Sequence, residues 1–190
     1  MHVRRIIGRA GLGSVAAAAA LLLAAPAATP AASAPYCGIR WGSTAKVSGT
    51  WYSRGTLVDV RSGQHTCYDR LVIDIDRPRH RLAYDVRYVS AVREDGSGRL
   101  VPLRGGADLQ IVVRTPAYDE DGRSTYRPAN RRELVDTSGY RTFRQVAWAG
   151  SFEGQSTIGL GTRARLPVRA FALDGPGDDA RLVVDVAHRW

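Results

Sequence analysis

From Lys46 to the C-terminus, apolar residues recur at every second position in short runs separated by glycine, proline and polar clusters. Alternation of period two marks a strand with one face on a core. Two runs are nearly identical: Arg70-Leu71-Val72-Ile73-Asp74-Ile75 and Arg181-Leu182-Val183-Val184-Asp185-Val186. In the first, Leu71, Ile73 and Ile75 are predicted to face inward, and Arg70, Val72 and Asp74 outward. The twin runs predict internal pseudo-symmetry, with both strands in related places of the core.

The same pattern predicts strands over 56–60, 68–76, 82–92, 100–103, 107–114, 142–152, 156–163, 168–173 and 181–189. Ser62-Gly63 reads as the turn after the first of these, and 82–92 as the partner of 68–76. Asp95-Gly96-Ser97-Gly98, Gly105-Gly106, Glu153-Gly154-Gln155 and Gly175-Pro176-Gly177 read as further turns. Segment 115–140 differs: it holds Pro116, Gly122, Pro128 and Gly139, many charges and little periodicity. A loop of that length in a compact domain is functional or mobile, with room for a short helical turn over 130–134. Helical periodicity over a dozen residues is absent beyond residue 35. The fold class is all-β: one β-sandwich domain of short antiparallel strands over 35–190.

Residues 1–34 change the setting. Arg4, Arg5 and Arg9 precede an Ala/Leu stretch and a run of small residues ending Ala32-Ser33-Ala34. This is the layout of a cleavable signal peptide, with cleavage after Ala27 or Ala28 as an alternative and a retained anchor as the rival reading. The apolar stretch is short for a membrane span, and no second one follows. Removing the three leader arginines from the 27 basic residues leaves 24 against 18 acids. The excess permits attraction to anionic polymers outside the cell. Nucleic acid is not expected, because export removes the chain from it and the arginines are scattered. Cys37 and Cys67 are the only cysteines, and an even count in an exported chain predicts a disulfide.

The sequence holds fragments of several catalytic patterns and completes none. Ser43-Thr44-Ala45-Lys46 matches S-x-x-K, but no helix and no companion motif follow. His65, His80 and His188 have no metal spacing and read as exposed strand or loop residues, and no cofactor motif is present. His188 and Asp185, three apart on a strand, fall on opposite faces. Asp74 and Asp76 share a face, and outward aspartates beside outward arginines read as cross-strand pairs. Asp119-Glu120-Asp121-Gly122 begins like a calcium loop without the closing Glu, and reads as a solvated turn. Trp148, beside the Gly150–Gly154 turn with Gln155, is the aromatic chosen as a sugar-stacking candidate.

Several stretches carry a resemblance. Cys37-Gly38-Ile39-Arg40-Trp41-Gly42-Ser43 with Lys46, Asp59-Val60-Arg61 with Gly63-Gln64-His65, and Cys67-Tyr68-Asp69-Arg70-Leu71-Val72-Ile73-Asp74 are similar to those of actinobacterial AMIN-like domain proteins. So are Val101-Pro102-Leu103, Pro116-Ala117-Tyr118, Phe143-Arg144-Gln145-Val146 and Phe152-Glu153-Gly154. The resemblance implies a secreted or lipid-anchored protein, and the lack of a lipobox favours the secreted group. It also implies kinship with the β-sandwich AMIN domains of cell-wall amidases and secretins, which bind peptidoglycan. It supplies no catalytic residue.

The expectation is a secreted, non-catalytic module that binds peptidoglycan or an attached anionic polymer. Its ligand-binding candidates are Arg70, Asp74, Trp148, Gln155, Arg181 and Asp185. A protein-interaction module docking another envelope protein through a sheet edge or the 115–140 loop is the first alternative. A small wall hydrolase using Asp74 or Asp185 is the second.

Overall fold

Strand-forming runs dominate the chain because their β-branched and aromatic residues fit a pleated, half-buried surface. The computed structural model describes residues 35–190, so the expected signal peptide over 1–34 lies outside the described residues. A short 3-10 turn at Tyr36–Gly38 is followed by eleven strands: β1 Lys46–Ser48, β2 Thr56–Gln64, β3 Tyr68–Asp76, β4 Tyr84–Val89, β5 Val92–Arg93, β6 Leu100–Val101, β7 Ala107–Val113, β8 Phe143–Phe152, β9 Gln155–Thr162, β10 Val168–Asp174 and β11 Ala180–Ala187. They form a five-stranded sheet in the order β1-β4-β7-β9-β8, a four-stranded sheet in the order β10-β11-β3-β2, and the small β5–β6 hairpin. All neighbours are antiparallel.

The core lies between the two sheets. Leu71, Ile73, Ile75, Leu182, Val184 and Val186 pack from one side, against Val86, Leu109, Ile111, Val113, Ile158 and Leu160 from the other. Each fully buried Leu or Ile contributes about 1.5–3 kcal/mol. A second cluster of Val92, Val101, Ala147 and Ala149 forms where the β5–β6 hairpin lies on the outer face of the larger sheet. Glycines in β9 permit that overlay. A Cβ at Gly159 would meet the Leu103 side chain, and one at Gly161 would run into the Arg104 carbonyl oxygen.

The twin runs are hydrogen-bonded to each other. β3 and β11 pair so that Arg70 faces Asp185, Val72 faces Val183 and Asp74 faces Arg181. The β2–β3 and β10–β11 hairpins thus meet along their second strands about a local two-fold through Val72 and Val183. The inward assignment holds: Leu71, Ile73 and Leu182 are fully buried. Val72, expected outward, is also covered, because Arg61, Val183 and Phe171 share its row across the sheet.

Three other expectations are corrected. Ser62-Gly63 is not a turn; β2 continues to Gln64 because its ladder with β3 extends to Asp69. β4 is not the partner of β3, since β2 and β11 occupy both edges of β3 and the link through Pro78 carries the chain to the other sheet. Segment 115–140 has a turn rather than a helix at 130–134, closed by the Glu133 N–H donating to the Asn130 carbonyl. This segment closes one side of the sandwich. The Leu57 N–H donates to the Pro116 carbonyl on the β2 edge, while the Leu134 N–H and Arg131 carbonyl bond Val146 and Trp148 on the β8 edge. Exposed edges invite pairing with other chains, and this cover blunts two of them.

Candidate functional site

Strand alternation sends every second residue of the four-stranded sheet away from the core, in three rows. Gly63, Arg70, Asp185 and Arg169 make the first; Arg61, Val72, Val183 and Phe171 the second; Asp59, Asp74, Arg181 and Leu173 the third. The two-fold makes the sheet positions of the outer rows equivalent, but their edge residues differ in sign. Asp185 has Arg169 beside it, whereas Asp74 has Asp59.

That difference decides the electrostatics. Asp185 points away from the core, yet it is fully buried beneath its neighbours. Its carboxylate accepts from Arg70 Nε at 2.7 Å and Nη2 at 2.9 Å, and from Arg169 Nε at 2.7 Å. A buried carboxylate persists only when paired and hydrogen-bonded in this way. The bond to Asp185 holds the Arg70 guanidinium above its already high ordinary pKa. Both arginines lie over aromatic rings. Arg169 is 5.1 Å from the ring centres of Tyr68 and Phe171 and 5.5 Å from Trp41, and Arg70 is 5.2 Å from Tyr68. Cation–π contacts of this kind add about 0.5–1 kcal/mol each at exposed sites.

The N-terminal segment completes the cluster. The Cys37–Cys67 disulfide, with its Cα atoms 6.4 Å apart, ties that segment to the β2–β3 turn. Trp41 then sits 5.9 Å from Tyr68, and its Nε1 donates to the Tyr36 carbonyl. The expected disulfide therefore positions one ring of the site.

Two guanidiniums share one carboxylate here, leaving one positive charge. Arg169 Nη1 and Nη2 and Arg70 Nη1 make no hydrogen bond within the described residues. The side chains of Arg70 and Arg169 keep 23% and 29% of their surface in solvent. Half-exposed rings and free, fixed guanidinium donors form a platform for a flat apolar ring bearing an anion.

The other candidates fall elsewhere. Asp74 is held by Arg61, with Nε–Oδ2 at 2.6 Å and Nη2–Oδ1 at 2.9 Å, and not by Arg181 across from it. Arg181 Nε is buried without a hydrogen-bond partner among the described residues. Trp148 is not an exposed stacking surface: it lies in the core, edge-on to Tyr126 at 5.2 Å. Its position on β8 directs it inward, alternating with Ala147 and Ala149. Gln155 begins β9, and its Nε2 reaches Asp95 Oδ1 at 3.4 Å. Burial pushes the Asp95 carboxyl up from its ordinary range. Four of the six candidates therefore share one face, and two do not join them.

His188 is buried, against expectation. Its Nε2 lies 3.1 Å from Asp69 Oδ1, reached diagonally across the β3–β11 ladder, in which Val186 is the residue opposite Asp69, and it does not contact Asp185. Asp69 Oδ2 also accepts the Thr142 N–H, the Thr142 hydroxyl and the Phe143 N–H. This buried knot fastens the start of β8 to β3 and the C-terminal end of β11. Lys46 Nζ donates to the carbonyls of Gly42 and Thr44, so the S-x-x-K match is a local loop contact. Asp119 Oδ1 accepts the N–H groups of Asp121 and Arg123, making the acidic stretch an Asx turn. Among the described residues no His, Cys, Asp and Glu group has the arrangement to hold a metal.

Arg169, Phe171, Tyr68 and Trp41 were missed by sequence reasoning. Arg169 and Phe171 alternate along a predicted strand, and a hairpin register pairing 169 with 185 would have found them. Trp41 carried no local signal beyond its nearness to Cys37.

A family model described as AMIN-like domain matches residues 55–188. Neither the curated proteins nor the solved structures gave a match. That span is most of the chain and holds Tyr68, Arg70, Arg169, Phe171 and Asp185, with Trp41 before it: the chain belongs to the AMIN-like domain family.

Proposed function

We propose that this protein is a secreted, non-catalytic module that binds the cell envelope through the outer face of its four-stranded sheet, with peptidoglycan or an attached anionic glycopolymer as ligand. Membership of the family suggests a cell-wall-associated binding module. Among the described residues no helix is long and apolar enough to cross a membrane. One observation carries the reading: Arg70 and Arg169 are pinned over Tyr68, Phe171 and Trp41 around a buried Asp185, with spare donors outward. The rings would lie against sugar faces, and the free guanidinium donors would take a muropeptide carboxylate or a polymer phosphate by charge-assisted hydrogen bonds.

Co-sedimentation of the protein with purified envelope tests this over a salt series from about 0.1 to about 1 M, which cuts the Debye length from about 10 to about 3 Å. Binding should persist in part at high salt and fall about tenfold in Arg169→Ala and Arg70→Ala, as loss of a charge-assisted bond predicts. Retention unchanged in both variants, or abolished by modest salt alone, would count against a shaped site on this face.

A further inference from the structure

A second site lies at the far end of β3. Six residues separate Arg70 from Asp76, about 20 Å along the strand. There a cleft of about 590 Å³ opens between the start of β2, the β3–β4 turn and the arm 116–125. Its chemistry begins in the run Asp76-Arg77-Pro78-Arg79. Arg77 and Arg79 both adopt left-handed backbone, with φ of 40° and 50°. For residues other than glycine that conformation is strained, and they keep it only where their surroundings over-determine it.

The surroundings do so here. Pro78 is buried, and its carbonyl accepts the Ser53 hydroxyl at 2.8 Å. The Arg77 N–H donates to Asp179 Oδ1 at 3.2 Å. Gly55 lies so close to Asp76 and Pro78 that a Cβ would strike their backbone. Glycine at 77 or 79 would make the same turn without strain. The strain is therefore spent on presenting two guanidiniums. Arg77 is turned onto Asp76, with its Nε and Nη2 at 3.1 and 3.0 Å from the carboxylate.

Arg79 and Arg54, brought to the same side of the cleft by the packing of Gly55 on Asp76 and Pro78, stand in no ion pair among the described residues. The opposite wall carries Asp119 and Glu120. Asp119 spends one oxygen on its own turn, and Glu120 makes no hydrogen bond among the described residues. With Asp76 and Arg77 neutralising each other, two cations from one side and two acids from the arm 116–125 remain in the cleft lining without an ion pair between them. The walls do not close on each other, and the net charge is zero. A polyanion gains little in such a cleft. A ligand with an ammonium and a carboxylate spanning both walls gains at each end.

We propose that this cleft binds a short zwitterionic peptide, its carboxylate on Arg54 and Arg79 and its ammonium on Glu120 and Asp119. The proposal stands on residues separate from the Arg70–Arg169 face and goes beyond the reading of that face.

Trialanine with free termini is the probe, titrated into the protein while the backbone amides of Gly55 and Glu120 are followed by NMR. Saturable shifts are expected. N-acetyl-trialanine and trialanine amide, each lacking one charge, should bind about tenfold more weakly, as should the Glu120→Gln variant. Arg79→Gly is the sharper variant. It relieves the backbone strain, so it should melt no lower than the parent while losing affinity about tenfold. Arg169→Ala should leave trialanine affinity unchanged, which separates this site from the envelope-binding face. Equal binding of the free and N-acetylated peptides, no saturable shift, or full affinity in Arg79→Gly would overturn the proposal.

Discussion

Replacing Asp185 by alanine removes the one acid beneath two arginines. Three hydrogen bonds of 2.7–2.9 Å are lost from a carboxylate with no solvent exposure. Breaking a fully buried pair costs about 3–5 kcal/mol, because the remaining charge is stranded. Here the stranded groups retain 23% and 29% of their side-chain surface, so they can turn toward water and recover part of that. A loss of about 2–4 kcal/mol follows, a large share of the 5–15 kcal/mol typical of a domain. For a domain of this size each kcal/mol lowers Tm by about 2–4 °C, giving a fall of about 4–16 °C. Urea unfolding of the parent, Asp185→Ala, Arg70→Ala and the double variant closes a cycle whose coupling should be about 1.5–3 kcal/mol. Binding should change with ionic strength. With the acid gone the face gains one net positive charge but its guanidiniums are no longer held, so envelope retention at low salt should rise by generic attraction while salt-resistant retention and stability both fall. A variant within about 0.5 kcal/mol of the parent, or additive single variants, would refute the view that Asp185 organises the face.

Three more outcomes follow from the same contacts. Asp69→Ala strands the Thr142 and Phe143 donors and the His188 ring at once, so chemical denaturation should show a loss of about 3–5 kcal/mol; a loss under about 1 kcal/mol would mean the knot is not structural. Gly161→Ala forces the Arg104 carbonyl away from β9 and should cost about 1–3 kcal/mol in thermal melts, whereas Gly63→Ala, with open space around its Cβ, should cost less. Asp95 holds its proton more tightly folded than unfolded, so its contribution to stability declines as pH rises from the unfolded carboxylate value through the folded one. Asp95→Asn should therefore raise Tm at about pH 7 and change it little at about pH 3, and an equal shift at both would contradict the burial argument.

The sandwich was legible because strand alternation is local. Leu71, Ile73, Ile75 and Leu182 announce their inward face by spacing alone, and the core confirms it. The disulfide followed from counting cysteines. Partnership was not legible. The pattern that marks 82–92 as a strand says nothing of which sheet it joins, and β4 went to the other one. Burial on the outer face was hidden too, because a strand residue pointing outward is covered or bare according to its row neighbours, as Val72 and Asp185 show. Trp148 failed as a surface candidate because nearby turn glycines mark a strand end, not the direction of a side chain on that strand.

By itself the sequence determined most of the strands, though not β1 or the division of 82–92 into β4 and β5, the core face of the twin runs, and that two near-copies of one strand exist. Only the tertiary structure decided that those copies pair head to tail, that Arg169 makes Asp185 a two-arginine centre, and that Trp41 arrives to cover it. The physical reason is that alternation and turn chemistry act over a few residues. Register, sheet membership and charge pairing depend on which segments meet, and these include segments more than a hundred residues apart, as with Arg70 and Asp185.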